Sequence, residues 1–220
     1  MSESSIAYQE HRFLKDLSAC FMQPTLNLAK AIASGQLANA FSQLIDAQPQ
    51  SELADALSQL SAFSDACSGH SEEEIRILLE VEYNRLFVGP DKLKAPPYES
   101  YYRTDVPDVR RRTIKGPAEQ EAKAFYRTFG LVMPDEFVEM ADHICVELDF
   151  LSYLNLLEDR ALKQGNEQEV QRIREGYITF LHDHLCKWIN PFAHDVLVNA
   201  QLPFYPALVC IVKNTVLIAA

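Results

Sequence analysis

SEEEIRILLEVEYNRLF, residues 71–87, contains the clearest helical pattern in the chain. Ser71 and Glu74 have the spacing of a capping box, in which the two residues satisfy each other's free backbone N–H groups at a helix start. The apolar side chains that follow recur every three to four residues, as on one face of an α-helix. This face carries Ile75, Leu78, Leu79, Tyr83, Leu86 and Phe87. The segment therefore predicts a capped, amphipathic helix with a buried face.

The same pattern recurs on both sides of this segment, and no segment alternates apolar and polar residues as a strand does. Leu and Ala outnumber the β-branched residues, and this composition favours helix over sheet. Further helices are predicted at residues 6–21, 37–45 and 53–63, from Pro117 to Gly130, from about 144 to Gly165, and after the cap Asn166. The sequence therefore predicts an all-α fold, as a single multi-helix globular domain.

Two stretches interrupt the helical pattern. Residues 89–115 contain four prolines without a period, and a loop this long in a compact domain is often functional. The stretch from Gly130 to Met140 contains Pro134. We interpret residues 131–143 as a hinge between an N-terminal part, 1–130, and a C-terminal part, 144–220. A hinge before a long helix permits domain swapping, so we expect a monomer together with a domain-swapped dimer.

Composition restricts the classes of partner. The chain has 220 residues and a formal net charge of -11. An acidic surface repels phosphate backbones and anionic lipids, so we expect no nucleic-acid binding, whereas a basic peptide would be attracted. The N-terminus resembles no secretory signal. The apolar C-terminal stretch is interrupted by Lys213 and Asn214, so we expect no stable membrane insertion.

The five cysteines are widely separated and form no C-x-x-C pair. This spacing argues against a disulfide framework and against a structural zinc site, and it is typical of a reducing compartment. We therefore expect a cytoplasmic protein. The sequence also lacks G-x-x-x-x-G-K-[ST], G-x-G-x-x-G, G-x-S-x-G and H-E-x-x-H. We expect no cofactor and no enzymatic activity.

His182, Asp183 and His184 form the one local group that suggests metal chemistry. A helical metal-dependent phosphohydrolase would use such residues. Positions i and i+2 of a helix point roughly 200° apart, so the two histidines cannot share one metal ion without distortion. We expect His184 to lie near the apolar face and His182 to face solvent, and we expect no stoichiometric transition metal.

Asp142, His143 and Glu147 lie at the start of the predicted helix at 144. His143 and Glu147 are one turn apart on one face, and a carboxylate beside an imidazole can fix its tautomer and shift its charge. The alternative is structural, with Asp142 as the helix N-cap and His143 in the core. A second local group, Arg110–Arg112, either holds an anion or is a solvated basic run.

Several segments together resemble the TorD/DmsD family, to which NarJ is a more distant relative. The resemblance spans roughly residues 75–210. Each motif is short, but their order and spacing agree. The matching segments are Glu82–Phe87 (EYNRLF), Gly89-Pro90, Ala95–Tyr102 (APPYESYY), Glu139–His143 (EMADH), Glu147–Leu151 (ELDFL) and Trp188–Phe192 (WINPF).

This resemblance implies a chaperone that binds the twin-arginine leader peptide and the apo catalytic subunit of a molybdenum enzyme of the DMSO/TMAO reductase type. It also implies help with cofactor insertion before export, and weak GTP binding. Two departures from the family are visible. Met140 stands where the family has Pro, which softens the predicted hinge, and Tyr83 and Tyr98 stand where some members have Trp. A helical scaffold for another protein partner remains an alternative.

Leader binding would combine an aromatic groove with carboxylates. Aromatic walls take an apolar helix or strand, and carboxylates bind guanidinium groups by charge-assisted hydrogen bonds. Some of the apolar residues are equally suited to the core. The predicted peptide-binding residues are Tyr83, Leu86, Phe87, Pro97, Tyr98, Ser100, Glu139, Asp142, His143 and Glu147.

Overall fold

The computed structural model describes residues 2–45, 51–89, 93–105, 114–133 and 139–219. Within these ranges the chain contains no strand, only one antiparallel bridge between Tyr98 and His143. The predicted all-α fold is therefore confirmed. The helices are α1 Glu3–Cys20, α2 Leu26–Ala33, α3 Gln36–Ile45, α4 Ser51–Cys67, α5 Glu72–Tyr83, α6 Glu99–Tyr102, α7 Pro117–Thr128, α8 Ile144–Lys163, α9 Glu167–Phe180, α10 Cys186–Asn199 and α11 Phe204–Ala219, with π-helical turns at Asn84–Val88 and Leu181–Leu185.

The helix ends follow the local signals in the sequence. Ser71 and Glu74 form the predicted capping box of α5. Pro117 is the first residue of α7, where its missing N–H costs nothing. Asn166 caps α9 through its side chain. Gly130 ends α7 in the left-handed region, with φ of 79°, which a residue with a Cβ rarely adopts.

The chain forms two compact units, each assembled from separate segments. The first unit contains Met1–Ser18, Pro97–Asn190 and Val216–Ala220, and the second contains Ala19–Pro96 and Pro191–Thr215. The predicted division at residues 131–143 and the swapped dimer stay predictions. Residues 134–138 of that hinge, Pro90 and the basic run Arg110–Arg112 lie outside the described residues.

The second unit is built around an aromatic cluster. The rings of Tyr83 and Phe87 meet edge to face at 5.2 Å, and Phe87 meets Tyr205 in the same way at 4.9 Å. Phe21 packs against Phe192 at 6.2 Å. Aromatic pairs in these geometries stabilise a core beyond their buried area. The cluster therefore ties the N-terminal segment of this unit to its C-terminal segment.

A buried carboxylate, Glu82, forms a polar network that joins two segments of this unit. Glu82 Oε1 accepts hydrogen bonds from the backbone N–H groups of Gln201 and Leu202, at 2.6 and 3.2 Å. Arg85 pairs with Glu82 and donates to the carbonyl of Asn199 at 2.7 Å. The ion pair and the free N–H groups satisfy one another, which a buried charge requires.

The first unit is built around α8 and α9. Phe150 of α8 meets Phe180 of α9 edge to face at 4.8 Å, and Tyr126 of α7 lies 4.5 Å from Phe150. Gly176 of α9 allows close packing, since a Cβ there would lie 2.1 Å from Cζ of Phe129. These aromatic contacts hold α7, α8 and α9 together.

One residue that was predicted to lie on the buried face of α5 is exposed in the structure. Leu78 is 43% exposed, whereas Ile75, Leu79 and Tyr83 are buried. Leu78 lies at the side of the buried face of α5, whereas Glu82 is buried on that face. Burial of Glu82 is possible because its carboxylate accepts hydrogen bonds from backbone N–H groups. Hydrophobic spacing alone could not predict a buried glutamate.

None of the helices in the described ranges combines the length and the apolar character that crossing a membrane requires.

Candidate functional site

The proline-rich loop and the start of α8 are joined in the first unit by backbone hydrogen bonds. The N–H of Ile144 donates to the carbonyl of Pro97 at 2.9 Å, and the N–H of Glu99 donates to the carbonyl of Asp142 at 2.9 Å. Pro97 and Asp142 are both buried. The pairing brings together two segments that the sequence analysis assigned to one site, although they are more than 40 residues apart in the chain.

Asp142 holds the loop through its side chain. Its Oδ2 accepts a hydrogen bond from the backbone N–H of Ser100 at 2.9 Å, and the hydroxyl of Ser100 accepts one from the N–H of Gly116 at 3.1 Å. Asp142 Oδ1 is buried without a hydrogen-bond partner among the described residues. Burial raises the pKa of Asp142, because desolvation disfavours the charged form.

His143, and not Asp142, is the N-cap of α8. Its Nδ1 accepts a hydrogen bond from the N–H of Cys145 at 3.1 Å, which requires Nδ1 to be unprotonated. Burial lowers the pKa of His143 to about 3. The structural alternative is therefore wrong in making Asp142 the cap, because the Asp142 carboxylate is directed to Ser100 instead. It is right in placing His143 in the core, since that residue is buried.

Tyr98 and Glu139 form the accessible edge of this region. The Tyr98 ring meets the His143 ring edge to face at 5.0 Å, and its hydroxyl donates to Glu139 Oε2 over a long 3.4 Å. The Glu139 side chain is 26% exposed and lies 3.9 Å from Nε2 of His143. That distance is longer than a hydrogen bond. Because the imidazole is neutral, the two side chains also form no ion pair. Desolvation also raises the pKa of Tyr98.

Glu147 lies deeper in the same unit. Its Oε2 accepts a hydrogen bond from Nε1 of Trp188 at 3.0 Å. Full burial raises the pKa of Glu147 well above its usual range, and the nearby Glu99 carboxyl raises it further. Glu99 was not among the predicted site residues. Its local contact is an i,i+4 ion pair with Arg103, which is common on helices, and its contact with His184 comes from a distant segment.

Tyr83, Leu86 and Phe87 belong to the second unit. All three are buried there, and the two aromatic rings contact each other and Tyr205. From the sequence, these residues could line a peptide-binding groove or belong to the core. In this conformation they are core residues of their own unit, since hardly any of their surface is available to a peptide.

The predicted divergence of the two histidines in H-D-H is confirmed. His182 and Asp183 are exposed, whereas His184 is buried. The triplet lies in the π-helical turn Leu181–Leu185. His184 Nδ1 is 2.7 Å from Glu99 Oε2, so the histidine faces a carboxylate from a distant segment.

The fold of the described residues is all-α. Its architecture matches a solved structure from Archaeoglobus fulgidus, described as a proposed redox enzyme maturation protein, with a TM-score of 0.51 over 94% of this chain and 93% of that chain. The sequence identity is 22%, so this likeness concerns the fold alone.

The family follows from the sequence match. The model of the nitrate reductase delta subunit family matches residues 46–194, which is more than half of the chain. The chain therefore belongs to this family, which includes the TorD chaperones, and the resemblance seen in the motifs is confirmed.

The chain is similar to several curated chaperones. It is 27% identical to the chaperone protein TorD of Aliivibrio fischeri over 157 residues, 71% of this chain and 68% of the relative. It is 28% identical to TorD of Shewanella loihica over 84% of this chain and 89% of the relative. It is 32% identical to the selenate reductase assembly chaperone protein of Thauera selenatis over 59% of this chain and 64% of the relative.

Proposed function

We propose that this chain is a chaperone for a molybdenum-cofactor oxidoreductase. It would bind the twin-arginine leader peptide and the apo catalytic subunit of that enzyme, assist cofactor insertion and delay export until the enzyme is complete. The observation that carries this proposal is the family match over residues 46–194, because it contains Glu82–Phe87, the loop before α6 and Asp142-His143. The proposal assigns a binding role and no catalysis.

The charge of the chain supports a basic peptide as partner. The formal net charge is -11, and a twin-arginine leader has a cationic start followed by an apolar stretch. An acidic surface accelerates the encounter with a cationic partner, an effect that salt screens. The apolar stretch of the leader requires an aromatic or aliphatic wall.

Tyr98 and Glu139 are the predicted site residues of the first unit that a peptide reaches without rearrangement. Tyr98 would give an apolar face with a polar tip, and Glu139 would pair with a leader guanidinium. Asp142 and His143 lie behind them and are buried. Their role would be to hold the loop and the start of α8 in place, and direct contact with a leader would require opening the Pro97–Ser100 segment.

Calorimetric titration with the leader of a molybdenum enzyme from the same organism tests the proposal. We expect Tyr98→Ala to weaken binding at least tenfold, or about 1.4 kcal/mol. We expect Glu139→Gln to weaken it about fivefold, since a partly exposed ion pair contributes up to about 1 kcal/mol. Asp142→Asn is expected to weaken binding at least tenfold through the loop.

Glu175→Gln is the matched control, because it removes the same charge from an exposed position of α9. It should leave affinity unchanged, and a leader with both arginines replaced should bind poorly to every variant. If the leader does not bind the native chain while the mature subunit does, the scaffold alternative replaces this proposal. If Tyr98→Ala, Glu139→Gln and the native chain bind the leader with equal affinity, the leader does not bind at Tyr98 and Glu139, and this part of the proposal is wrong.

A further inference from the structure

Three buried side chains of the first unit converge, and only Glu147 among them belongs to the predicted peptide-binding residues. Glu99 of α6, Glu147 of α8 and His184 of the π-helical turn each offer a ligand atom, and these atoms lie within 4.8 Å of one another. All three side chains are buried. Single π-helical turns within helices occur frequently at functional sites, because the extra residue redirects a side chain. The convergence depends on such a turn for His184.

The hydrogen bonds of this cluster leave one oxygen without a partner. Glu99 Oε1 accepts from Arg103 at 2.6 Å, and Glu99 Oε2 is 2.7 Å from Nδ1 of His184. Glu147 Oε2 accepts from Nε1 of Trp188 at 3.0 Å. Glu147 Oε1 is buried and has no hydrogen-bond partner among the described residues. A buried polar atom without a partner is destabilising, so this oxygen is available to a ligand.

The cluster contains more carboxyl groups than cationic side chains. The carboxyl groups of Glu99 and Glu147 lie close enough to interact directly, and Asp142 acts on Glu147 electrostatically. Arg103 forms an ion pair with Glu99 and also contacts Asp105 and Glu121. One guanidinium therefore faces several carboxyl groups. Buried carboxylates are costly unless cations or hydrogen bonds compensate them.

We propose that Glu99, Glu147 and His184 form a binding site for one divalent transition-metal ion. Two carboxylates and one imidazole from separate helices suit zinc, manganese or ferrous iron, and similar donors bind metals inside helical bundles. Ligand atoms around an ion with bonds of about 2.0–2.2 Å lie up to about 4.4 Å apart. The present spacing needs only small shifts, in which the ion replaces the hydrogen bond between His184 and Glu99.

This donor set differs from the one that the sequence analysis considered. The sequence predicted no metal because His182 and His184 would point to different sides of a helix, and in the structure His182 is exposed whereas His184 is buried. Glu99 lies 85 residues from His184 in the sequence, so only the fold brings the two together. Glu147 also belongs to a segment distant from the π-helical turn, and its hydrogen bond to Trp188 spans 41 residues. A bound ion would join α6, α8 and the π-helical turn of the same unit.

Cobalt titration of the full chain, after removal of metals with a chelator, tests the proposal. We expect one Co²⁺ per chain, visible absorption bands from ordered protein ligands, and a higher melting temperature with Co²⁺ than without it. Glu147→Gln should weaken Co²⁺ binding at least tenfold while its amide oxygen still accepts from Trp188. His182→Gln is the matched control in the same turn, and it should bind Co²⁺ as the native chain does.

The outcomes separate clearly. Absence of the absorption bands in the native chain overturns the proposal, and so does equal Co²⁺ affinity of Glu147→Gln and the native chain. The melting curve of metal-free Glu147→Gln shows whether that variant folds. If it does not fold, His184→Gln decides the question, and native-like Co²⁺ binding by that variant overturns the proposal as well.

Discussion

At the scale of single residues, the buried His143 influences how the stability of the protein depends on pH. His143 caps α8 with an unprotonated Nδ1, and its ring contacts Tyr98 and lies near Glu139. The cap requires the neutral ring, and among the described residues no carboxylate is hydrogen-bonded to the ring, since Glu139 lies 3.9 Å from Nε2. The stability of the protein should therefore depend on pH through this residue.

We expect His143→Asn to reduce the loss of stability at mildly acidic pH. The pKa of His143 is about 3 in the folded protein and about 6.5 when unfolded. The unfolded chain therefore binds one more proton between these values, so stability from this group is complete above pH 6.5 and falls as pH decreases toward 3, by up to about 1.4 kcal/mol per unit. Asn remains a good N-cap and does not titrate.

Urea unfolding of both proteins between pH 5 and 7.5 measures this difference. The raised pKa of Asp142 acts in the opposite direction and is common to both proteins, so the difference between the two slopes isolates His143. Parallel slopes for the native chain and His143→Asn would contradict the prediction.

At the scale of elements, the packing of α9 against the end of α7 gives a second prediction. Gly176→Ala gains about 1 kcal/mol in helix propensity. The new Cβ would lie 2.1 Å from Cζ of Phe129, and overpacking of a core costs about 1–3 kcal/mol. Contacts this short force the Phe129 ring to move, so the clash outweighs propensity. We expect a net loss of up to about 2 kcal/mol in the free energy of unfolding.

Chemical denaturation of Gly176→Ala beside Gly69→Ala measures this effect. No atom lies within 4 Å of the position of a Cβ on Gly69, so this control should be as stable as the native chain. Adding Phe129→Leu to Gly176→Ala should recover part of the loss. A Gly176→Ala protein more stable than the native chain would show that the ring moves at no cost.

At the scale of the whole molecule, each unit depends on distant parts of the chain. The second unit takes Phe192, Phe204 and Tyr205 from its C-terminal segment, and these rings pack against Phe21, Phe63 and Phe87. Replacing one buried aromatic residue by alanine costs about 3–5 kcal/mol. Three such losses, about 9–15 kcal/mol, are comparable to the usual total stability of a domain, about 5–15 kcal/mol.

We therefore expect a chain that ends at residue 190 to lose the native packing of residues 19–96. Hydrogen exchange of the α2 and α5 amides measures this loss, and protection should disappear in the truncated chain. A full-length Phe192→Leu protein is the control, because it keeps an apolar side chain and should keep protection with about 1 kcal/mol less stability. Protected α2 and α5 amides in the truncated chain would contradict the dependence.

Local chemistry made the helices predictable. A capping box needs only residues i and i+3, a proline start only one residue, and an apolar face only a period of 3.6. The ends at Ser71, Pro117 and Asn166 follow such signals. The family resemblance was also visible in short motifs, since their order along the chain is a property of the sequence. These features of the protein required no knowledge of its tertiary contacts.

The tertiary structure alone decided which polar residues meet. Asp142 binds the backbone of Ser100 across 42 residues, and Glu99 meets His184 across 85. Helical spacing could suggest neither pair, because it compares residues within about two turns. Glu82 lies on a buried face for the same reason, since its partners at 201 and 202 come from the far end of the chain. Which buried polar atoms find partners depends on the packing of distant segments, and packing is fixed only in the folded chain.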